Sequence, residues 1–207
     1  MIITWHGEGC FRLQNGDTVV LVDLPQRGSG LSAPRGKANL LIKTIAPWPA
    51  FAKDANVDFV IRGAGEYDRA GVAINGFQLI DESAKDFIKS VYTLEWEGIS
   101  IGLLGAIASV PSAGILNAFE EIDVLIGPAG GAPCIKQEDM AKLIKQLNPK
   151  IFITSFYSIK GLKRKAGTLA NFLSFFDGEV EKNIEKFVFK KKDIADIKKT
   201  KMVCLIP

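Results

Sequence analysis

Short apolar runs separated by turn residues fill the first half of the chain. Ile2 to Trp5 reads as a strand, Cys10 to Leu13 as a second and Thr18 to Val22 as a third. Asn15-Gly16 predicts a hairpin between the last two, since glycine accepts the positive φ such turns demand. Thr18 to Val22 carries branched apolar residues at successive positions, which predicts burial on both faces. Residues 25–37, rich in Gly, Pro, Ser and Arg, predict an exposed loop. Leu40 to Ile42 is another buried strand, after which Pro47 and Pro49 break the chain around Trp48. Val57 to Ile61, Val72 to Leu79, Val91 to Trp96 and Ile99 to Leu104 continue the β-rich part, with turns at Gly63-Ala64-Gly65 and Glu97-Gly98. The period then changes. A short helix from Pro111-Ser112 carries Ile115, Leu116 and Phe119, and residues 136–147 place Met140, Leu143, Ile144 and Leu147 on one helical face up to Pro149. Leu169, Phe172, Leu173 and Phe176 repeat that spacing before Gly178, and this stripe reads as core. Val124 to Ile126, Ile151 to Ile153, Phe187 to Phe189 and Met202 to Ile206 are the strands of the second half.

Strands first, then strands alternating with helices, predict an α/β (α+β) chain of two packed sheets with helices outside. The 207 residues suit a single domain, 1–207, of two related halves at about 1–110 and 111–207. A faint echo between Asp58–Gly65 and Asp123–Gly130 is what related halves would leave.

Composition narrows the chemistry. The chain has one histidine, His6, whereas a zinc hydrolase gathers several imidazoles around its metal. A histidine-rich metal mechanism is therefore excluded by count. Cys10, Cys134 and Cys204 are far apart and odd in number, so they form neither a disulfide framework nor a metal knuckle and read as free thiols in a reducing cytoplasm. Met1 runs straight into a strand pattern with no signal-peptide character, and no apolar run is long enough to cross a bilayer. The net charge of +3 is uneven: residues 150–207 hold 13 Lys/Arg against 6 Asp/Glu. Such a face is more often solvated than bound to a polyanion, so nucleic acid is not the expected partner.

The opening Ile3-Thr4-Trp5-His6-Gly7-Glu8-Gly9-Cys10-Phe11 resembles the first strand and turn of the metallo-β-lactamase superfamily, in its branch of ascorbate-phosphate lactonase-like and short zinc-dependent hydrolases. Val20-Leu21-Val22-Asp23, Gly63-Ala64-Gly65-Glu66-Tyr67, Tyr92 to Gly105, Asp123 to Gly131, Lys150 to Tyr157 and Ile194 to Ile206 resemble further segments of that family, in its order. The resemblance implies an αββα four-layer sandwich and, in an intact member, metal-dependent hydrolysis. The slots that would carry the metals read otherwise. The family's first histidine position is Glu8. The ligand motif after Thr44 becomes Ile45, Pro47, Pro49 and Ala50, the next histidine would fall near Ile80 or Asp81, the strand-end turn supplies Leu103 and Ala106, and the last ligand position is Phe156. Apolar side chains neither activate water nor polarise a substrate oxygen.

The resemblance places His6, Glu8, Asp23 and Glu66 near that edge, where they are weak candidates for a rebuilt polar site. Their alternative role is structural: Asp23 bracing the loop after its strand and Glu66 holding the glycine-rich turn. Cys134 has only His6 available as a base, and the glycine pairs lack the Lys-Ser/Thr of a phosphate loop. Lys160, Lys163, Arg164 and Lys165 form a basic cluster expected to open the helix at 165–176, where cations oppose the helix dipole. The first reading is a non-catalytic family member without metal or cofactor, serving as a structural or interaction protein with a protein partner or a second copy of itself. The alternatives are a hydrolase with a rebuilt carboxylate site and a basic-surface binder of nucleic acid or another polyanion. Ile45, Pro47, Trp48, Pro49, Leu103 and Phe156 are expected to form an apolar plug in the old cavity. If exposed, they would mark a partner surface instead.

Overall fold

The computed structural model describes residues 1–26, 28–49 and 56–207. Six strands form the first sheet: β1 (Ile2–Trp5), β2 (Phe11–Asn15), β3 (Thr18–Val22), β4 (Ala38–Lys43), β6 (Val57–Arg62) and β14 (Lys186–Val188), in the order β14-β1-β2-β3-β4-β6. The second sheet contains β7 (Gly65–Arg69), β8 (Val72–Gln78), β9 (Phe87–Trp96), β10 (Ile99–Leu103), β11 (Val124–Pro128), β12 (Ile151–Ser155), β13 (Val180–Ile184) and β15 (Lys201–Leu205). Its order is β13-β15-β12-β11-β10-β9-β8-β7, and the short β5 (Ile45–Pro47) pairs with β9. Among the described residues four α-helices accompany the sheets: α1 (Ala113–Leu116), α2 (Gln137–Leu147), α3 (Leu169–Leu173) and α4 (Lys191–Ala195). The fold is a mixed α/β sandwich of the kind the resemblance implied. Among the described residues no α-helix precedes Ala113.

Side-chain alternation builds the interior. In β1, Ile3 and Trp5 turn inward while Ile2 and Thr4 are half-buried. Trp5 stacks with Phe11 at 6.3 Å and meets Tyr157 at 4.8 Å. β11 and β12 are buried at every position, which is why they read as unbroken apolar runs, and both are parallel to their neighbours. α2 buries Met140, Leu143, Ile144 and Leu147 as its spacing predicts, and Asn148 (φ 45°) ends it with its N–H on the Ile144 carbonyl. α3 starts at the Thr168 hydroxyl, which accepts from Asn171 N at 3.2 Å, and sets Phe172 on Phe152. It is shorter than predicted, and Lys160–Lys165 lie in the loop before it rather than at its start.

Strand directions repeat. Along β1-β2-β3-β4-β6 the pairings run antiparallel, antiparallel, parallel, parallel, and β8-β9-β10-β11-β12 repeats that series. In this repeat β6 corresponds to β12, whereas the sequence echo aligned it with β11. The echo is therefore not the trace of the repeated topology.

Candidate functional site

The C-terminal ends of the parallel strands share one edge of the sandwich, where the resemblance put the ligand slots. Asp23 leaves β3 there with φ 39°, its N–H on the Ile42 carbonyl at 2.9 Å. Its carboxylate accepts Thr44 N at 2.8 Å and the Thr44 hydroxyl at 2.5 Å. Burial pushes its pKa up to about 6, against the opposing hydrogen bonds from Thr44 and the Ile45 amide. All of this ties Asp23 to the end of β4, as a brace would be tied. The turn after β10 closes on the same place: Gly105 has φ +57°, and a Cβ there would lie 2.4 Å from Thr44 Oγ1. Tyr92 adds a third tie, its hydroxyl accepting from Gly63 N at 2.9 Å and donating to the Lys43 carbonyl at 3.1 Å.

A second cluster surrounds Glu8. Arg164 reaches across 156 residues and grips the Glu8 carboxylate through Nε and Nη2 at 3.0–3.2 Å. The same guanidinium donates to the Phe156 carbonyl at 2.9 Å and the Lys165 carbonyl at 3.1 Å. Phe156 N in turn donates to the Glu8 carbonyl at 3.3 Å, and Trp5 Nε1 to the same oxygen at 2.9 Å. Glu8 and Phe156 both hold positive φ, 52° and 55°, a conformation that non-glycine residues keep only where their surroundings enforce it. The Phe156 ring covers Gly9, where a Cβ would meet Phe156 Cζ at 2.6 Å and Asp23 Oδ2 at 2.9 Å.

A third cluster pins the turn after β10. Glu82 accepts from the Ala108 and Ser109 amides and the Ser109 hydroxyl at 2.8–3.1 Å and pairs with Lys89 at 2.9 Å. Lys89 also donates to the Ala106 carbonyl at 2.7 Å. Ile135 N donates to the Ile107 carbonyl at 2.7 Å and joins the next loop to this one. Cys134, in that next loop, is buried, and its thiol is pushed up to about 11 by burial.

The sequence-picked residues separate on this frame. Glu8 and Asp23 are at the edge, but each is committed to a partner. His6 is not there: with Ile3 and Trp5 facing in, Thr4 and His6 face out, and His6 Nε2 lies 3.5 Å from Thr4 Oγ1. Partial burial and the Arg12 charge lower the His6 pKa. Glu66 is exposed on the edge strand β7, opposite Asn75. Leu103 and Phe156 are buried and Ala106 is half-buried, while Ala50 lies outside the described residues. The expected plug is thus only partly formed, because Ile45 (38 % exposed), Pro47, Trp48 (55 %) and Pro49 face solvent. β5 explains this correction. Its pairing with β9 turns Ala46 inward, so its neighbours Ile45 and Pro47 must point out. Sequence reading placed Arg164 only in a basic cluster, without its Glu8 partner, and missed the Glu82–Lys89 pair. The first was hidden among like charges, and the second joins residues whose relation depends on the 3-10 turn at Ile80–Glu82.

The donor set at the edge does not fit a metal. Ile45, Pro47, Pro49, Leu103 and Phe156 offer no side-chain ligand, the Glu8 oxygens face a guanidinium, and those of Asp23 face Thr44. Among the described residues no group of three or more His, Cys, Asp or Glu could hold a metal ion.

The opposite edge carries a cleft of about 740 Å³ beside Asp123, Lys150 and Lys191. Asp123 is buried and bonded to Lys150 (2.8 Å), Lys191 (2.5 Å) and Ser100 N (3.1 Å). Burial alone would raise its pKa, but the two lysines and the Ser100 amide outweigh it and hold the carboxyl below its ordinary value.

Residues 2–154 match the family model of the beta-lactamase superfamily domain. Among solved structures, the chain is similar to a proposed zinc-dependent hydrolase of the metallo-β-lactamase superfamily from Thermotoga maritima, with 27 % identity, a TM-score of 0.79, and 99 % of this chain and 97 % of that one covered. It is also similar in fold to Igni18, a metallo hydrolase from Ignicoccus hospitalis (13 % identity, TM-score 0.60, 91 % and 99 % covered). The metallo-β-lactamase fold protein YhfI of Bacillus subtilis aligns at 8 % identity and TM-score 0.60, over 98 % and 95 % of the two chains. No curated protein matches the chain.

Proposed function

The chain belongs to the beta-lactamase superfamily domain family, and from that premise we propose that it is a non-catalytic member, an interaction protein on a hydrolase scaffold. One observation carries the reading: the edge that would hold the metals offers apolar side chains at its ligand slots, and its two carboxylates are spent on Arg164 and Thr44. A hydrolytic metal needs deprotonated donors and an open coordination position for water. Asp23 does not replace that chemistry in this reading, because both its oxygens accept from Thr44 and tie the side chain to the end of β4 rather than presenting it to a substrate.

The partner in this reading is a protein, with a second copy of the chain the first to test. Support comes from Ile45, Trp48, Ile80 (77 % exposed) and Val110 (45 %), which flank the start of β9 and the Glu82 clamp. Large apolar groups gathered on a surface favour protein contacts. Three buried, unpaired thiols suit a reducing compartment, and among the described residues no helix is long and apolar enough to cross a membrane.

The test is elemental analysis of protein purified without chelator, with lactone and phosphodiester substrates assayed before and after added zinc or manganese. The expected result is far less than one zinc, manganese or iron per chain and no metal-dependent turnover. One equivalent of a transition metal together with chelator-sensitive hydrolysis would overturn the proposal.

A further inference from the structure

We propose that residues 158–168 form a strap latched across the former ligand edge by the Arg164 guanidinium, and that breaking this latch lets the strap lift while the sandwich beneath stays folded. This goes beyond the loss of catalysis and would stand whether or not the scaffold hydrolyses anything.

The strap is anchored at its base by its own backbone. Ser158 N donates to the Gly167 carbonyl at 3.0 Å, and Gly167 N to the Gly130 carbonyl at 2.6 Å. Its tip touches the loop after β3: Lys163 N donates to the Ser29 carbonyl at 3.1 Å, and Gly30 packs so closely that a Cβ would lie 2.1 Å from the Gly161 carbonyl oxygen. Gly7 sits beneath the meeting point, where a Cβ would be 2.7 Å from Leu31 and 3.1 Å from Ile159. Yet no residue from Ser158 to Thr168 is buried, although Phe156 and Tyr157 just before them are. Its one apolar hold on the core is the half-buried Ile159, and a segment so lightly anchored belongs to the low-stability end of a fold, where local opening precedes global unfolding.

Beyond these backbone ties and Ile159, the side-chain hold on the strap is concentrated in Arg164. Arg164 makes a forked contact to Glu8 and also satisfies the Phe156 carbonyl, so a single guanidinium joins the strap to the β1–β2 turn and to the end of β12. Lys160, Lys163 and Lys165 are exposed around it, and their mutual repulsion favours lifting, which Glu8 opposes. The pair is partly shielded, with side chains 26 % and 20 % exposed, so it keeps more strength than a fully solvated pair. Lifting would uncover Glu8, the Phe156 ring over Gly9, and the loop that holds Gly130 and Cys134.

The experiment uses the full chain with Arg164→Ala, Glu8→Gln and the double variant, each followed by native-state hydrogen exchange and by iodoacetamide labelling resolved by cysteine. Each single variant should speed exchange across 158–168 by about tenfold or more, with β11 and β12 unchanged. The double variant should do no more than Arg164→Ala alone, since both break one latch. Cys134 should label faster while Cys204, buried in β15, does not. Arg164→Lys, which keeps the charge but loses the fork, should lie between, and it decides the matter with Glu8→Gln if Arg164→Ala does not fold. Unchanged strap exchange overturns the proposal. So does acceleration that spreads equally through β11 and β12, since the strap would then have no opening of its own.

Discussion

Asp23 gives the edge a dependence on pH whose sign follows from its enclosure. Its folded pKa of about 6 exceeds the ordinary aspartate value of 3.8, so the folded chain holds this proton more tightly than the unfolded one. The stability it contributes is fully present below about pH 3.8 and is lost as pH rises through about 6. Wild type should therefore gain on Asp23→Asn as pH falls from 7 to 5, measured as the difference between their urea unfolding free energies. Curves that run parallel over that range would mean the carboxylate is ionised and solvated in the folded chain. His6, by contrast, has no place in this edge, and its lowered pKa reflects partial burial beside Arg12 on the outer face of the first sheet.

β5 separates two kinds of apolar residue that look alike in the sequence. In the sequence Ile45, Pro47, Trp48 and Pro49 group with Leu103 and Phe156 because all occupy the family's ligand slots or flank them. Alternation in the three-residue strand turns Ile45 and Pro47 out, Trp48 and Pro49 after it are exposed as well, and Leu103 and Phe156 stay buried, so two different consequences follow. Phe156→Ala removes a buried ring and should cost roughly 3–5 kcal/mol, seen as a lower melting temperature with the sedimentation coefficient unchanged. Trp48→Ser removes an exposed ring and should leave stability within about 0.5 kcal/mol. If the exposed group is a self-contact, this second change lowers the oligomer size instead. A large stability loss from Trp48→Ser, or no change in size in a chain that self-associates, would remove Trp48 from the partner surface. The elements that sequence reading overlooked share a cause. β7 (Gly65–Arg69) and β13 (Val180–Ile184) are polar edge strands, each paired on one side only, so no buried face marks them. α4 is a single turn whose start rests on Asp193 accepting from Lys190 N at 2.8 Å.

The sandwich as a whole was legible because its central strands are apolar on both faces and its first strands alternate. Strand order was not, since nothing in the apolar pattern tells β15 to enter between β12 and β13, or β14 to join β1. The latch was illegible for the same reason: Glu8 and Arg164 are 156 positions apart, and only the completed fold makes them neighbours. This long-range closure governs how the chain can be made. Of these strands β1 leaves the ribosome before the others, yet one of its two partners, β14, lies at residues 186–188, and the Met1 amine donates to the Phe189 carbonyl at 2.6 Å. β15, the latest of them in sequence, is hydrogen-bonded on both sides. Until residues 186–205 emerge, both sheets carry an unfilled edge, and contacts this distant in sequence also form slowly. Nascent chains stalled before residue 186 should therefore be cut readily by protease and bound by chaperones, while chains released past residue 205 become resistant in one step. Resistance already present in the shorter chains would mean that the two sheets close without their last strands.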